Sequence, residues 1–396
     1  MSFIKSYGKN RKNRDLGKIY RPSRNIGSDD VLIEIIYASF TSQDVLNMEK
    51  DDCIYPYVPG IDAVGMIQEI GHNVHTFSTG MIVGVGRIID TCRNCERCFN
   101  KDYYNCKKPI NNNIGRLNQV MIVNQNYLIK IRNFMNNLYR VSPLISIGSE
   151  VYASMKRYGI TNNNKIGIIG FNDNGHIATK IALKHECDVT VFSETDKLKN
   201  YALADLKVDE FILLNDKDSL RKINNTFDFL LDTRLSPTLI SNFIPLLKDQ
   251  GELSIINKEE SEIRECLKEI KIFDKVIRKS NKLNLRQIEQ FVNYCTSYNL
   301  YPDTEVISIY QIKDAIKNIK EESNQKIFVI DMLSIRSENQ RVDVDKEVHS
   351  KVVKDFTKEL EELNKDDNIP SIPEKINLEA YVETDEESEI ESDSED

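Results

Sequence analysis

"KIGIIGFNDNGHIATKIALKHECDVTVFS", Lys165 to Ser193, decides the fold. "KIGII" is a short apolar run of the kind a strand buried on both faces requires. "GHIATKIALKHE" spaces its apolar residues at helical intervals, and "DVTVFS" is a second buried strand. Strand, helix, strand at these lengths means two parallel strands joined by a crossover helix. The alternation continues through "KNYALADL", "EFILL", "FDFLLD" and "GELSII", so residues 151–283 are expected to form a doubly wound parallel α/β sheet. Gly170 and Gly175, at the junction of strand and helix, stand in the first and third places of a Gly-x-Gly-x-x-Gly dinucleotide motif; Asn172 fills the second.

The chain before this region has a different texture. "VLIEIIYA", Val31 to Ala38, reads as a strand, and further short β-like stretches follow, punctuated by Gly60, Gly65, Gly71, Gly80, Gly84 and Gly86. After Asn284, "LRQIEQFVNYCTSY" reads as a helix, and "TEVISI" and "KIFVIDM" return the chain to this β-rich part. The expected organisation is therefore a β-rich domain from residues 1–150 and 284–333, around the α/β domain of 151–283. A linker and amphipathic helix are expected over 334–368, with Val348, Val352, Phe356, Leu360 and Leu363 on one face, and a disordered acidic tail over 369–396.

"CRNCERCFNKDYYNC", Cys92 to Cys106, holds four of the eight cysteines. The spacing of Cys92, Cys95, Cys98 and Cys106 suits one tetrahedral zinc of the structural kind, since four thiolates leave no coordination position open. Disulfides are the rival reading. The opening "MSFIKSYGKNRKNR" has no apolar signal core, which points to a reducing, cytoplasmic setting. Cys53, Cys187, Cys266 and Cys295 stand apart. Of the 62 acids, nine lie in the last fourteen residues, and the rest of the chain carries 53 acids against 53 bases. A balanced body gives no reason to expect nucleic acid or an anionic membrane as partner, and no apolar run is long enough to span a bilayer.

A β-rich domain with a four-cysteine lobe, an α/β domain and a short return resembles the zinc-type alcohol dehydrogenases of the medium-chain dehydrogenase/reductase superfamily, most of all the cinnamyl-alcohol-dehydrogenase branch. "DDVLIEIIYA", "YPYVPGIDAVGMIQEIG", "VGVG" with the cysteine lobe, "PLISIGSEVYASMKRYGI", "GFNDNGHIA", "VTVFS" and "KIFVID" fall in family order at family spacing over about residues 15 to 333. The resemblance implies a GroES-like N-terminal domain with a zinc lobe, and a Rossmann-type nucleotide-binding domain.

It also implies a second, catalytic zinc, and here the chain departs. The stretches that should hold it read "TSQD" (Thr41–Asp44), "GID" (Gly60–Asp62) and "ISIG" (Ile145–Gly148). Thr41 and Ser146 put hydroxyls where the resemblance calls for thiolates. Ile61 replaces the histidine, and Asp62 keeps only an acid in place of the glutamate that follows it. Without thiolate or imidazole the Lewis acid that polarises an alcohol has no support. Gln43 replaces the hydroxyl residue of the proton relay. His72 and His75 fall in a turn the family treats as ordinary surface, and His176 is read either as a cofactor-side residue or as a packed structural histidine.

The cofactor site is altered too. Asn172 adds bulk where the pyrophosphate approaches, and Asp173 adds a like charge. Ser193 and Glu194, at the end of the next strand, are the candidates for ribose; Glu194 favours NAD over NADP, while Lys197 and Lys199 are available to a phosphate. "SIINKEE" lacks the glycine expected beside the nicotinamide. Three functions follow as expectations: a homologue that keeps one structural zinc and has lost alcohol dehydrogenase activity, a zinc-independent NAD(P)H-dependent reductase, or, chemically the weakest, an ordinary alcohol dehydrogenase. A homodimer joined through Lys275–Ser280 is implied by the resemblance, and a protein partner for the C-terminal helix or acidic tail is a further expectation.

Overall fold

The computed structural model describes residues 3–12, 15–50, 53–100, 103, 106, 108, 115–132, 134–234, 240–256, 263, 275–280, 282–320 and 326–335. The predicted helix 344–363, the acidic tail, Cys266 and "NKEE" lie outside these residues. The strands are β1 (Phe3–Gly8), β2 (Gly17–Pro22), β3 (Asp30–Phe40), β4 (Ala63–Ile70), β5 (Ile82–Val85), β6 (Val120–Asn124), β7 (Leu128–Lys130), β8 (Lys165–Ile169), β9 (Asp188–Ser193), β10 (Glu210–Leu213), β11 (Phe227–Asp232), β12 (Leu247–Ile255), β13 (Val276–Lys279), β14 (Thr304–Ser308) and β15 (Ile327–Asp331). The helices are α1 (Ser42–Glu49), α2 (Glu96–Phe99), α3 (Ser149–Tyr158), α4 (Asp173–Lys184), α5 (Lys217–Lys222), α6 (Leu285–Ser297) and α7 (Ile312–Lys320).

One sheet runs β14-β15-β3-β4-β5-β7, with β6 also paired to β3. Only its β14–β15 pairing is parallel. β3 is its spine: every residue from Ile35 to Phe40 is buried, because this stretch is flanked by strands and covered on both faces. Val31, Ile33, Ile67, Val83, Val123 and Phe328 form the centre of its core. The late strands β14 and β15 join this sheet beside β3, and α6 lies against β7, where Glu289 accepts from the Lys130 amide at 3.2 Å.

The second sheet runs β10-β9-β8-β11-β12-β13, parallel throughout. The first strand in sequence, β8, lies in the middle, so the chain winds outward in both directions and leaves a crevice at the β8/β11 switch point. β8 and β9 are buried along nearly their whole length, and α4 covers them with Ile177, Ala178, Ile181 and Ala182. Two glycines are required at the β8–α4 turn. Gly170 has φ +89°, and a Cβ on Gly175 would lie 2.1 Å from the Gly170 carbonyl oxygen. Among the described residues no helix is long and apolar enough to cross a membrane.

Candidate functional site

The cysteine lobe is the first site. The Sγ atoms of Cys92, Cys95, Cys98 and Cys106 all lie within 4.8 Å of one another, and among the described residues no other group of three or more His, Cys, Asp or Glu brings its ligand atoms together in this way. Cys92 and Cys98 are 3.8 Å apart, Cys95 and Cys98 3.6 Å, and Cys106 and Cys92 3.5 Å. A tetrahedral zinc at its usual distance from sulfur sets its ligands about 3.8 Å from one another, so the four sulfurs stand at the corners such an ion needs. The seven described cysteines are free of disulfides. The Lys108 amide donates to Cys106 Sγ at 3.4 Å, and Thr91, itself bonded to Tyr127, accepts from Cys98. The residues fit the zinc that the spacing predicts.

The second site lies where the first sheet faces the β8–α4 turn. Thr41, Ser42, Gln43, Ile61, Arg87, Ile147, Glu150, Asp173 and Asn174 line a cleft of about 290 Å³, open mouth included. Three carboxylates organise it. Asp44, buried, accepts from the Thr41 amide at 3.0 Å, the Thr41 hydroxyl at 3.1 Å and the Gly60 amide at 2.7 Å. Asp62, fully buried, accepts from the Ser146 amide at 2.9 Å and the Ser146 hydroxyl at 2.5 Å. Burial pushes the Asp44 carboxyl up to about 6 and that of Asp62 up to about 7, against the pull of these hydrogen bonds. The Thr41 and Ser146 hydroxyls are thus each spent on a neighbouring acid. Ile61 adds only hydrocarbon to the wall, and the Gln43 amide donates to Asn47.

The third carboxylate is Asp173, the first residue of α4. It accepts from the Ser42 amide at 2.8 Å and the Ser42 hydroxyl at 2.9 Å, across the cleft. Burial raises its pKa and the two bonds oppose that rise. Asn172 caps α4: its side-chain oxygen accepts from the Asn174 and Gly175 amides, at 3.1 and 3.2 Å, and its amide donates to the Thr233 carbonyl at 2.7 Å. The N–H groups that open α4, the ready-made donors for a phosphate, are occupied by this side chain. Ser193 is buried and accepts from the Thr195 amide, whereas Glu194 is exposed at the end of β9.

His176 is buried in the first turn of α4. Its Nε2 lies 2.8 Å from the Tyr201 hydroxyl and 3.3 Å from Asp303. Asp303 also receives Lys180 at 2.7 Å and the Tyr201 hydroxyl, with Arg140 at 3.5 Å. Burial works against its charge, but the bonds from His176, Lys180 and Tyr201 hold its carboxyl far below the usual range. Asp173, His176 and Lys180, spaced i, i+3 and i+7, form one face of α4, and all three reach residues of the first-sheet body. His72 and His75 are exposed, as a surface turn requires.

The Alcohol dehydrogenase GroES-like domain model matches residues 27–133. A probable cinnamyl alcohol dehydrogenase 6 of Arabidopsis thaliana is 29% identical over 322 residues, 78% of this chain and 88% of the relative. A mannitol dehydrogenase of Petroselinum crispum is 27% identical over 325 residues, 78% of this chain and 95% of the relative. Residues 27–133 carry the alcohol dehydrogenase GroES-like domain, and over most of its length the chain is similar to cinnamyl alcohol and mannitol dehydrogenases. Its two-sheet architecture agrees with the solved cinnamyl alcohol dehydrogenase of Sorghum bicolor, at TM-score 0.77 and 22% identity over 86% of this chain and 100% of that one. The Helicobacter pylori cinnamyl alcohol dehydrogenase complexed with NADP(H) gives TM-score 0.76 and 24% identity, over 84% and 98%. The residues that sequence reasoning missed are Ser42 and Asp303. Nothing local marks either; Asn172, read from the sequence only as bulk, proves to be a helix cap, although asparagine just before a helix is among the strongest cap signals.

Proposed function

We propose that this chain is an alcohol dehydrogenase homologue that keeps one structural zinc in the cysteine lobe, has lost zinc-dependent alcohol chemistry, and serves as a structural or interaction protein. The observation that carries this reading is the pairing of Ser146 with Asp62, together with that of Thr41 with Asp44. The catalytic metal position offers hydroxyls committed to carboxylates and no thiolate or imidazole, so an ion able to stabilise an alkoxide has no ligand set there. Zinc in the lobe, when bound, supplies folding free energy; Cys92, Cys95, Cys98 and Cys106 would hold it and leave no position for substrate. The test is elemental analysis of protein purified without chelator, with an assay for NAD+ or NADP+ reduction by cinnamyl and benzyl alcohol. One zinc and no turnover is the expected result; two zincs, or metal-dependent turnover, would overturn it.

A second reading, a zinc-independent NAD(P)H-dependent reductase, is favoured by the six-stranded Rossmann order and by Glu194, exposed where ribose hydroxyls would be met. Titration with NADH and NADPH, followed by nicotinamide fluorescence, separates the two: micromolar binding supports the reductase. In either case β13 is the outer strand of its sheet among the described residues, and we assign the homodimer contact to that edge. Light scattering of the purified chain, with and without a proline at Ile277, tests it.

A further inference from the structure

Asp173 does not cap its own helix; Asn172 does that. Its carboxylate instead crosses from the β8–α4 turn to the first turn of α1 and takes both the amide and the hydroxyl of Ser42, a residue 131 positions away in the chain. α1 has its own cap arrangement in Thr41 and Asp44, so neither helix needs this bond to form. The bond therefore acts between the two sheets, not within one element. It also lies in the wall of the cleft, beside the turn at which a dinucleotide pyrophosphate approaches a Rossmann sheet. The carboxylate there is a built-in anion, and it occupies the Ser42 N–H and O–H groups that would otherwise add to the donors an outside anion meets in the cleft.

We infer that Asp173 is an intramolecular latch, which ties the parallel sheet to the antiparallel one through Ser42 and competes with any phosphate-class anion for the donors at the start of α1. The inference rests on the reading of a self-filled site given above and adds how that filling is maintained. Binding of a diphosphate requires the Asp173–Ser42 pair to part, and until it parts the carboxylate repels the incoming charge over a short, poorly screened distance. The second hold on α4, through Lys180 and His176 to Asp303, keeps the helix in place when the first opens, so latch release changes the cleft and not the fold.

The experiment uses the full chain and its Asp173→Asn and Asp173→Ala variants. Amide hydrogen exchange at Ser42 reads the latch directly, and calorimetry with inorganic pyrophosphate and with NADH reads the competition. Exchange at Ser42 is expected to accelerate about tenfold or more in Asp173→Ala, and less in Asp173→Asn, whose amide oxygen still accepts, while the β8 and β11 amides keep their protection. Pyrophosphate affinity is expected to rise about tenfold or more, further in Asp173→Ala than in Asp173→Asn. Unchanged exchange at Ser42 would overturn the latch. Faster exchange with no gain for pyrophosphate would overturn the competition, and loss of protection across β8 and β11 would show that Asp173 serves the fold instead. The reading of lost alcohol chemistry fails on zinc content and turnover of the parent chain, neither of which enters this test.

Discussion

Ser146 gives both of its donors to one carboxylate: its amide to Asp62 Oδ2 at 2.9 Å and its hydroxyl to Asp62 Oδ1 at 2.5 Å, with both residues buried. Burial nonetheless raises the Asp62 carboxyl from 3.8 to about 7, so between about pH 4 and pH 7 the folded chain holds a proton that the unfolded chain has released. Stability therefore falls as pH rises through that window, and above it the full cost of the buried charge is present. Asp62→Asn keeps an acceptor for the Ser146 amide and removes the charge. It should be more stable than the parent at pH 8 by about 2–4 kcal/mol, with the difference closing towards pH 4. Urea unfolding across that range checks it, and a variant less stable at pH 8 would refute the assignment.

Loss of one sulfur should unfold the lobe and little else. Cys95→Ser is expected to abolish zinc binding, since a three-thiolate remnant lacks the closed ligand set of a structural site. Metal analysis, with proteolysis sites mapped to residues 92–108, tests this; retained zinc in the variant would argue against a four-cysteine site.

Asp303 is the anchor of α4, receiving Lys180 at 2.7 Å along with His176 and Tyr201. Asp303→Ala leaves Lys180 and the Tyr201 hydroxyl to find water at a half-buried position, a loss on the order of 2 kcal/mol. Its carboxyl is held far below the ordinary range, so its contribution is complete above about pH 4, starts to shrink below that and is gone only in much stronger acid. The variant's difference from the parent should thus be smaller at pH 3 than at pH 7, as thermal unfolding at the two pH values would reveal.

Asn172→Gly frees the Asn174 and Gly175 amides, which Asn172 now occupies. Glycine is itself a tolerated cap, so the helix should lose only a few tenths of a kcal/mol. NADH affinity should improve, and combining the change with Asp173→Gly should improve it further. If the double variant binds no better than the parent by nicotinamide fluorescence, the turn is not the obstacle.

The strands and their order follow from patterns visible in single segments. "KIGII" and "DVTVFS" had to be buried parallel strands because they are apolar on both faces, and the cysteine spacing pointed to a convergent cluster because cysteines three positions apart can share one ion. The polar pairings were not visible, because a hydrogen bond between residues 84 or 131 positions apart is decided by how the sheets meet. Thr41 and Ser146 could be read as absent ligands, but not as donors to Asp44 and Asp62. Asp173 read as a charge set against phosphate; that Ser42 holds it depends on where α1 begins relative to α4. Asn172 read as bulk, although its place before a helix already announced a cap.

The bonds around Ser146 and Thr41 also bear on evolutionary history. A metal position left as a void is one mutation from partial repair; a position closed by paired groups is not. Ser146→Cys alone would deprive buried Asp62 of its hydroxyl donor, and Thr41→Cys would do the same to Asp44, each costing about 1–3 kcal/mol. Neither step regains an ion, because zinc asks for three protein ligands at once. Under the reading proposed here, every single reversion is a loss before it is a gain, and the network works as a ratchet that holds the lineage in its present state.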